Sequence, residues 1–248
     1  MQYLRSLLFT ILMSLSVVPY AVWVLLAAPF GRSASYRAAV RWVRLNLWLL
    51  RVLCGLDHEV TGAENIPADG TCVVYLKHSS TWETFAELLV FPEQTWVLKR
   101  ELYWLPLFGW ALAALRPVGI NRGARSTAVR QVVSRGALRL NAGVWVMIFP
   151  EGTRMAPGKT RRYGLSGALL AKNTQRRIIP VAHNACDYWP RHSLLKKPGT
   201  IRMVVGPPIE TAGREPAAIN EEAQAWIEGT MQQISTAYAD RSAAADAA

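Results

Sequence analysis

Thr71-Cys-Val-Val-Tyr-Leu-Lys-His78-Ser-Ser-Thr-Trp-Glu83-Thr-Phe-Ala-Glu-Leu-Leu-Val-Phe91 changes hydropathy pattern midway. Thr71–Leu76 is a short apolar run of β-branched and aromatic residues, which predicts a buried strand. Past the polar turn at 77–80 an apolar helical run follows. A strand turning directly into a helix is the repeating unit of an α/β sheet. His78 falls in that turn, at the carboxyl end of the strand, where open α/β sheets place their ligands.

The same pattern recurs along the chain. Thr95–Leu98, Val144–Phe149, Ile178–Ala182 and Ile201–Val205 read as further strands, alternating with helical stretches. Val129, Val132, Val133, Gly136, Ala137 and Leu140 form a helix stripe. Glu221 and Glu222 are expected to open a last helix carrying Ala223, Trp226, Ile227, Thr230, Ile234 and Tyr238. The predicted fold is α/β: a mixed, largely parallel sheet flanked by helices, preceded by an N-terminal membrane-anchoring helix or helical hairpin. Residues 1–56 form the anchoring segment, 57–241 the α/β domain, and 242–248 an Ala-rich tail expected to be disordered. There is no internal repeat.

The 248 residues suffice for one sizeable catalytic domain. A 51% hydrophobic and 18% charged composition excludes a disordered or fibrous protein. A net charge of +11 favours an anionic partner: nucleic acid, acidic headgroups or a phosphorylated substrate. Cys54, Cys72 and Cys186 are scattered without CxxC spacing, so they build neither a disulfide framework nor a zinc site.

Ser6–Gly31 holds 26 residues without a charge, whereas about 20 apolar residues span a bilayer. A secretory signal has a shorter apolar region, so the run reads as a retained anchor. Arg32, Arg37, Arg41, Arg44 and Arg51 follow it, which places the downstream side in the cytoplasm. Tyr36–Leu56 reads as a basic helix at the headgroup surface, and Pro19 leaves a re-entrant hairpin open.

Four histidines are present. His183 with Cys186 and Asp187 matches no standard zinc spacing, and no metal is expected. His78 is followed by Glu83 at His-x4-Glu spacing. The two can meet only if His78 lies in the turn and Glu83 in the first helical turn. A carboxylate on Nδ1 would then leave Nε2 as a general base. Ser80-Thr-Trp-Glu83 equally fits a capping box, so both readings of Glu83 stand. GxSxG, HExxH, the P-loop and GxGxxG are all missing from the sequence. Val146–Arg154 is a hydrophobic strand ending in Phe149-Pro-Glu151-Gly152-Thr153-Arg154, a polar turn suited to an anion. Gly119-Ile-Asn121-Arg122 ends another short apolar run.

Taken together, these blocks resemble the lysophosphatidic acid acyltransferases (1-acyl-sn-glycerol-3-phosphate acyltransferases) of the glycerolipid acyltransferase superfamily. His78–Glu83 is similar to the first motif of that family, although most members carry Asp at the acidic position. Gly119–Arg122 is similar to the second, with Asn121 replacing the usual Asp. Phe149–Arg154 matches the third letter for letter, and Ile178-Ile-Pro-Val181 is similar to the fourth. The resemblance implies acyl transfer from acyl-CoA or acyl carrier protein to the 2-hydroxyl of lysophosphatidic acid, without metal, cofactor or covalent intermediate, giving phosphatidic acid. It implies His78 as general base paired with Glu83, and Arg122, Glu151, Gly152, Thr153 and Arg154 as the phosphate pocket, the glutamate organising the basic groups. Lys99, following a strand in Val97-Leu-Lys99-Arg100, is a further phosphate candidate, its alternative being a snorkelling surface lysine. The implied setting is the cytoplasmic side of the inner membrane, with the bilayer and not nucleic acid as partner. Two alternatives are another lyso-lipid acceptor and a non-catalytic, membrane-anchored binding protein for anionic ligands.

Overall fold

The structure is a computed structural model describing residues 1–121 and 125–238. Arg122 and the 242–248 tail therefore lie outside the described residues. Two helices come first, α1 (Gln2–Ala27) and α2 (Arg32–Cys54). Trp42 Nε1 donates to Ser16 Oγ, and Ser35 Oγ to the Val24 carbonyl, so the two helices run antiparallel as a hairpin. The remaining elements are β1 (Leu56–Thr61), β2 (Val73–Leu76), α3 (Glu83–Val90), β3 (Gln94–Lys99), α4 (Phe108–Ala114), β4 (Val118–Ile120), α5 (Arg125–Asn141), β5 (Trp145–Ile148), α6 (Ser166–Thr174), β6 (Ile178–His183), α7 (Ala185–Tyr188), β7 (Gly199–Val205) and α8 (Pro216–Ile234).

The strands form one sheet of order β1-β7-β6-β2-β5-β3-β4. Every pairing is parallel except β6 with β7. The five strands from β6 to β4 therefore run the same way and bring their carboxyl ends to one edge. That edge carries the His78 turn after β2, the Phe149–Arg154 turn after β5, and Lys99 at the end of β3. The mixed, largely parallel sheet is the one expected. The sequence reading missed only β1 and β4, the two edges.

Successive β2 residues face opposite layers, as strand geometry requires. Val74 and Leu76 pack into a core with Phe9, Val43, Leu50 and Phe85, from α1, α2 and α3. Val73 and Tyr75 pack on the other face with Val132, Leu170, Ile219 and Ile227, from α5, α6 and α8. A largely parallel sheet must be covered on both faces, and here the N-terminal hairpin supplies part of one cover. The junction near residue 56 is marked by Gly55, in the left-handed region at φ +67°, yet the core runs across it.

Two helices differ from expectation. The last one opens at Pro216, five residues before Glu221, because proline is pre-organised for a first helical position. The α2 helix is only half a surface helix. Arg37, Arg41, Arg44, Trp48 and Arg51 face outward, while Tyr36, Val43, Leu47 and Leu50 are buried.

Candidate active site

Glu83 is fully buried at the start of α3. Its Oε1 accepts from the backbone N–H of Ser79 at 3.0 Å and of Ser80 at 2.9 Å, and lies 2.9 Å from His78 Nδ1. The carboxylate thus closes the helix start and meets the imidazole with the same oxygen, so the two sequence readings are compatible. Burial alone would raise its pKa. His183, His78 and the Ser80 N–H outweigh that and hold it below the ordinary value, so it is ionised. The His78 ring stacks on Phe149 with centroids 3.9 Å apart, and a proton on Nδ1 shared with Glu83 leaves Nε2 as the basic nitrogen.

The Glu151 carboxylate meets the His78 backbone and Lys77. Its Oε2 accepts from the His78 backbone N–H at 2.8 Å, and its Oε1 pairs with Lys77 Nζ at 2.6 Å. Lys77 also reaches Glu228 of α8 at 2.7 Å, and Tyr163 donates to the same Glu228 oxygen at 2.9 Å. Burial pushes Glu151 up to about 7 against the pull of Lys77, and the like charge of Glu228 adds to the push. Met155 N–H donates to the His78 carbonyl at 2.7 Å, so the Phe149–Arg154 turn and the residue after it grip the His78 backbone from both sides. Lys77, Tyr163 and Glu228 were not singled out from the sequence. Their partners lie far away along the chain, and a buried lysine is visible only once its neighbours are placed.

His183 is a satisfied core residue. Its Nε2–H donates to the Lys77 carbonyl at 2.7 Å, its Nδ1 accepts from Ala185 N–H, and burial lowers its pKa. Among the described residues no cluster could hold a metal ion.

His78 opens onto a cavity of about 1700 Å³. Lys99, Glu151, Gly152, Thr153 and Arg154 line it, and so do Arg161 and Arg162. Gly152, at φ +71°, makes the turn that a side chain would strain. From this basic rim the cavity runs between the hairpin and α3, where its wall becomes largely apolar, with Val17, Ala21, Trp42, Leu88 and Leu115. Such a volume exceeds what a small metabolite needs.

A largely parallel α/β sheet presenting a His–Glu pair over a lipid-sized cavity with a basic rim is the architecture of an acyltransferase. The chain belongs to the acyltransferase family, whose model matches residues 57–184. It is 43% identical over 239 residues to the 1-acyl-sn-glycerol-3-phosphate acyltransferase of Pseudomonas aeruginosa, covering 94% of this chain and 93% of that protein. It is 30% identical to the mouse 1-acyl-sn-glycerol-3-phosphate acyltransferase alpha, over 70% of this chain and 62% of that one. The crystal structure of the 1-acyl-sn-glycerophosphate (LPA) acyltransferase PlsC from Thermotoga maritima superposes with a TM-score of 0.76 at 21% identity, over 94% and 95% of the two chains. That likeness establishes the shared fold.

Proposed function

We propose that the protein moves a fatty acyl group from an acyl thioester to the 2-hydroxyl of 1-acyl-sn-glycerol 3-phosphate, giving phosphatidic acid. The observation that carries this is the His78–Glu83 pair at the junction of a basic rim and an apolar cavity. His78 Nε2 takes the hydroxyl proton as the oxygen attacks the thioester carbonyl. The C–S bond breaks as the tetrahedral intermediate collapses, and the imidazolium returns the proton to the departing thiolate. Glu83 stabilises the imidazolium meanwhile. General-base catalysis of this kind is worth roughly 10²–10⁴-fold. In this reading no metal or cofactor takes part, and the donor is acyl-CoA or acyl carrier protein.

Gly152, Thr153, Arg154 and Lys99 are read as the phosphate site; Arg122, outside the described residues, is assigned to it by the family resemblance alone. Glu151, which lines the same cavity, is read as positioning His78 as well as organising the basic groups. The exposed apolar side of α1 is read as the membrane contact, with the catalytic domain on the cytoplasmic side of the inner membrane. A non-catalytic binding protein would need Glu83 only as a cap, not its contact with His78 Nδ1.

The direct test is phosphatidic acid formation by the purified protein in mixed micelles, from acyl-CoA or acyl carrier protein thioesters. Arg154→Ala should raise KM for the acceptor about tenfold with kcat little changed, because a charge-assisted bond to phosphate is lost. An unchanged KM in a folded variant would remove Arg154 from the site.

A further inference from the structure

One helical turn beyond Glu83, Glu87 is the second carboxyl group fully buried in α3. The reaction just described does not use it. It faces the cavity among Trp42, Leu88, Trp96 and Leu115. Neither of its oxygens makes a hydrogen bond of normal geometry, although the Trp96 indole leans toward it. The Tyr36 hydroxyl is buried nearby, leans on the Gln94 backbone, and does not close a bond to it. Burial raises the Glu87 carboxyl well above the ordinary carboxylate range, which favours the neutral acid. A neutral acid that turns its carbonyl oxygen toward Trp96 still has an O–H to donate. The missing partner is an acceptor, and the cavity wall around it is mostly apolar. A plain methylene chain lying there would leave that O–H unpaired, which costs far more than a formed bond returns. A chain bearing an oxygen at the right carbon would satisfy it.

We propose that Glu87 is a specificity-determining residue, its carboxyl group forming a subsite for an acyl chain that carries an oxygen substituent, above all a hydroxyl. This rests on the acyl-transfer reading above. The chain can belong to the donor or to the acceptor, since both are lipids of the same chemistry. One turn of helix, about 5.4 Å, separates Glu87 from Glu83, so the matching carbon lies a few methylenes from the reacting carbonyl if the chain is the donor's.

The test uses the full-length protein in mixed micelles with acyl-CoA thioesters of one chain length, unsubstituted or with one hydroxyl at successive carbons. A second arm places the same series on the acyl chain of lysophosphatidic acid. The wild type should show a maximum in kcat/KM at one carbon in one arm, about tenfold over the unsubstituted chain. Glu87→Gln, which keeps a donor, should retain the maximum. Glu87→Met should lose it and favour the plain chain. A flat profile in both arms of the wild type, with transfer occurring, would overturn the subsite and leave the transfer reading intact. So would a maximum that survives in Glu87→Met. No transfer from any donor would overturn both.

Discussion

A carboxylate that closes a helix start and faces a histidine with one oxygen can be split into its two tasks by substitution. In Glu83→Gln the amide oxygen can still accept from Ser79 and Ser80 N–H, the bonds that fix the turn. The charge facing His78 is gone, and the imidazolium loses its stabilisation. Thermal unfolding should stay near wild type while kcat falls roughly 10²–10⁴-fold, the range general-base catalysis supplies. Glu83→Asp keeps the charge on a shorter stem and should fall between. Near-normal turnover in the glutamine variant would reduce Glu83 to a cap. At this scale the sequence was informative where chemistry is local: five residues separate His78 from Glu83, and the turn between them is short. It was silent on the contacts of Glu151, whose place in a polar Glu-Gly-Thr-Arg turn suggests an anion site. The two bonds that decide its role reach 73 and 74 residues back along the chain, to His78 and Lys77.

Among the elements, the parallel strands explain why residues distant in sequence share one edge, and that much follows from alternating strand and helix patterns. The strands that escaped notice are β1, whose residues are mostly half-exposed, and β4, three residues long. Sheet edges are kept short or polar, so they lack the apolar runs by which strands are recognised. The contribution of α8 was equally hidden. Glu228 projects from it to Lys77, and through Lys77 and Glu151 it holds the His78 backbone. Glu228→Gln removes one of two carboxylates around a single buried cation. It should lower kcat severalfold with little change in KM, since no substrate atom is touched. It also has a signature in pH. A carboxyl group with a raised folded-state pKa binds more protons folded than unfolded, so its contribution is full below the unfolded pKa and lost as pH rises toward 7. Removing the like charge should bring Glu151 down and flatten the fall in stability between about pH 4.3 and about pH 7. Thermal unfolding of both proteins across that range reads it. Parallel curves, with kcat unaltered, would make Glu228 an ordinary surface-proximal acid.

For the molecule as a whole, the question is whether α1 is an attachment or part of the body. Its outer side carries Leu4, Leu8, Ile11, Leu15, Val18, Val22 and Leu26, all exposed and recurring at helical spacing along its length. Its inner side gives Phe9, Ala21 and Val24 to the core. Lys196 pins its start, donating to Thr10 Oγ1 at 2.6 Å between the rings of Phe9 and Trp189. A helix apolar all round belongs among apolar partners on every side, and here those are the protein on one side and lipid on the other. The sequence showed the apolar length, and the helix is indeed long and apolar enough to cross a membrane. It could not show which residues face inward, because both faces are equally hydrophobic. The two faces should respond differently to change. Deleting residues 1–31 strips a core layer and one wall of the cavity, so the truncated protein should lose cooperative unfolding and activity even in detergent micelles. Leu8→Glu with Leu15→Glu alters only the outer stripe, and should leave unfolding and micellar activity near wild type while releasing the protein from phospholipid vesicles. A truncated form that is active in micelles would make α1 a detachable anchor; a double variant that still pellets with vesicles would move the membrane contact elsewhere.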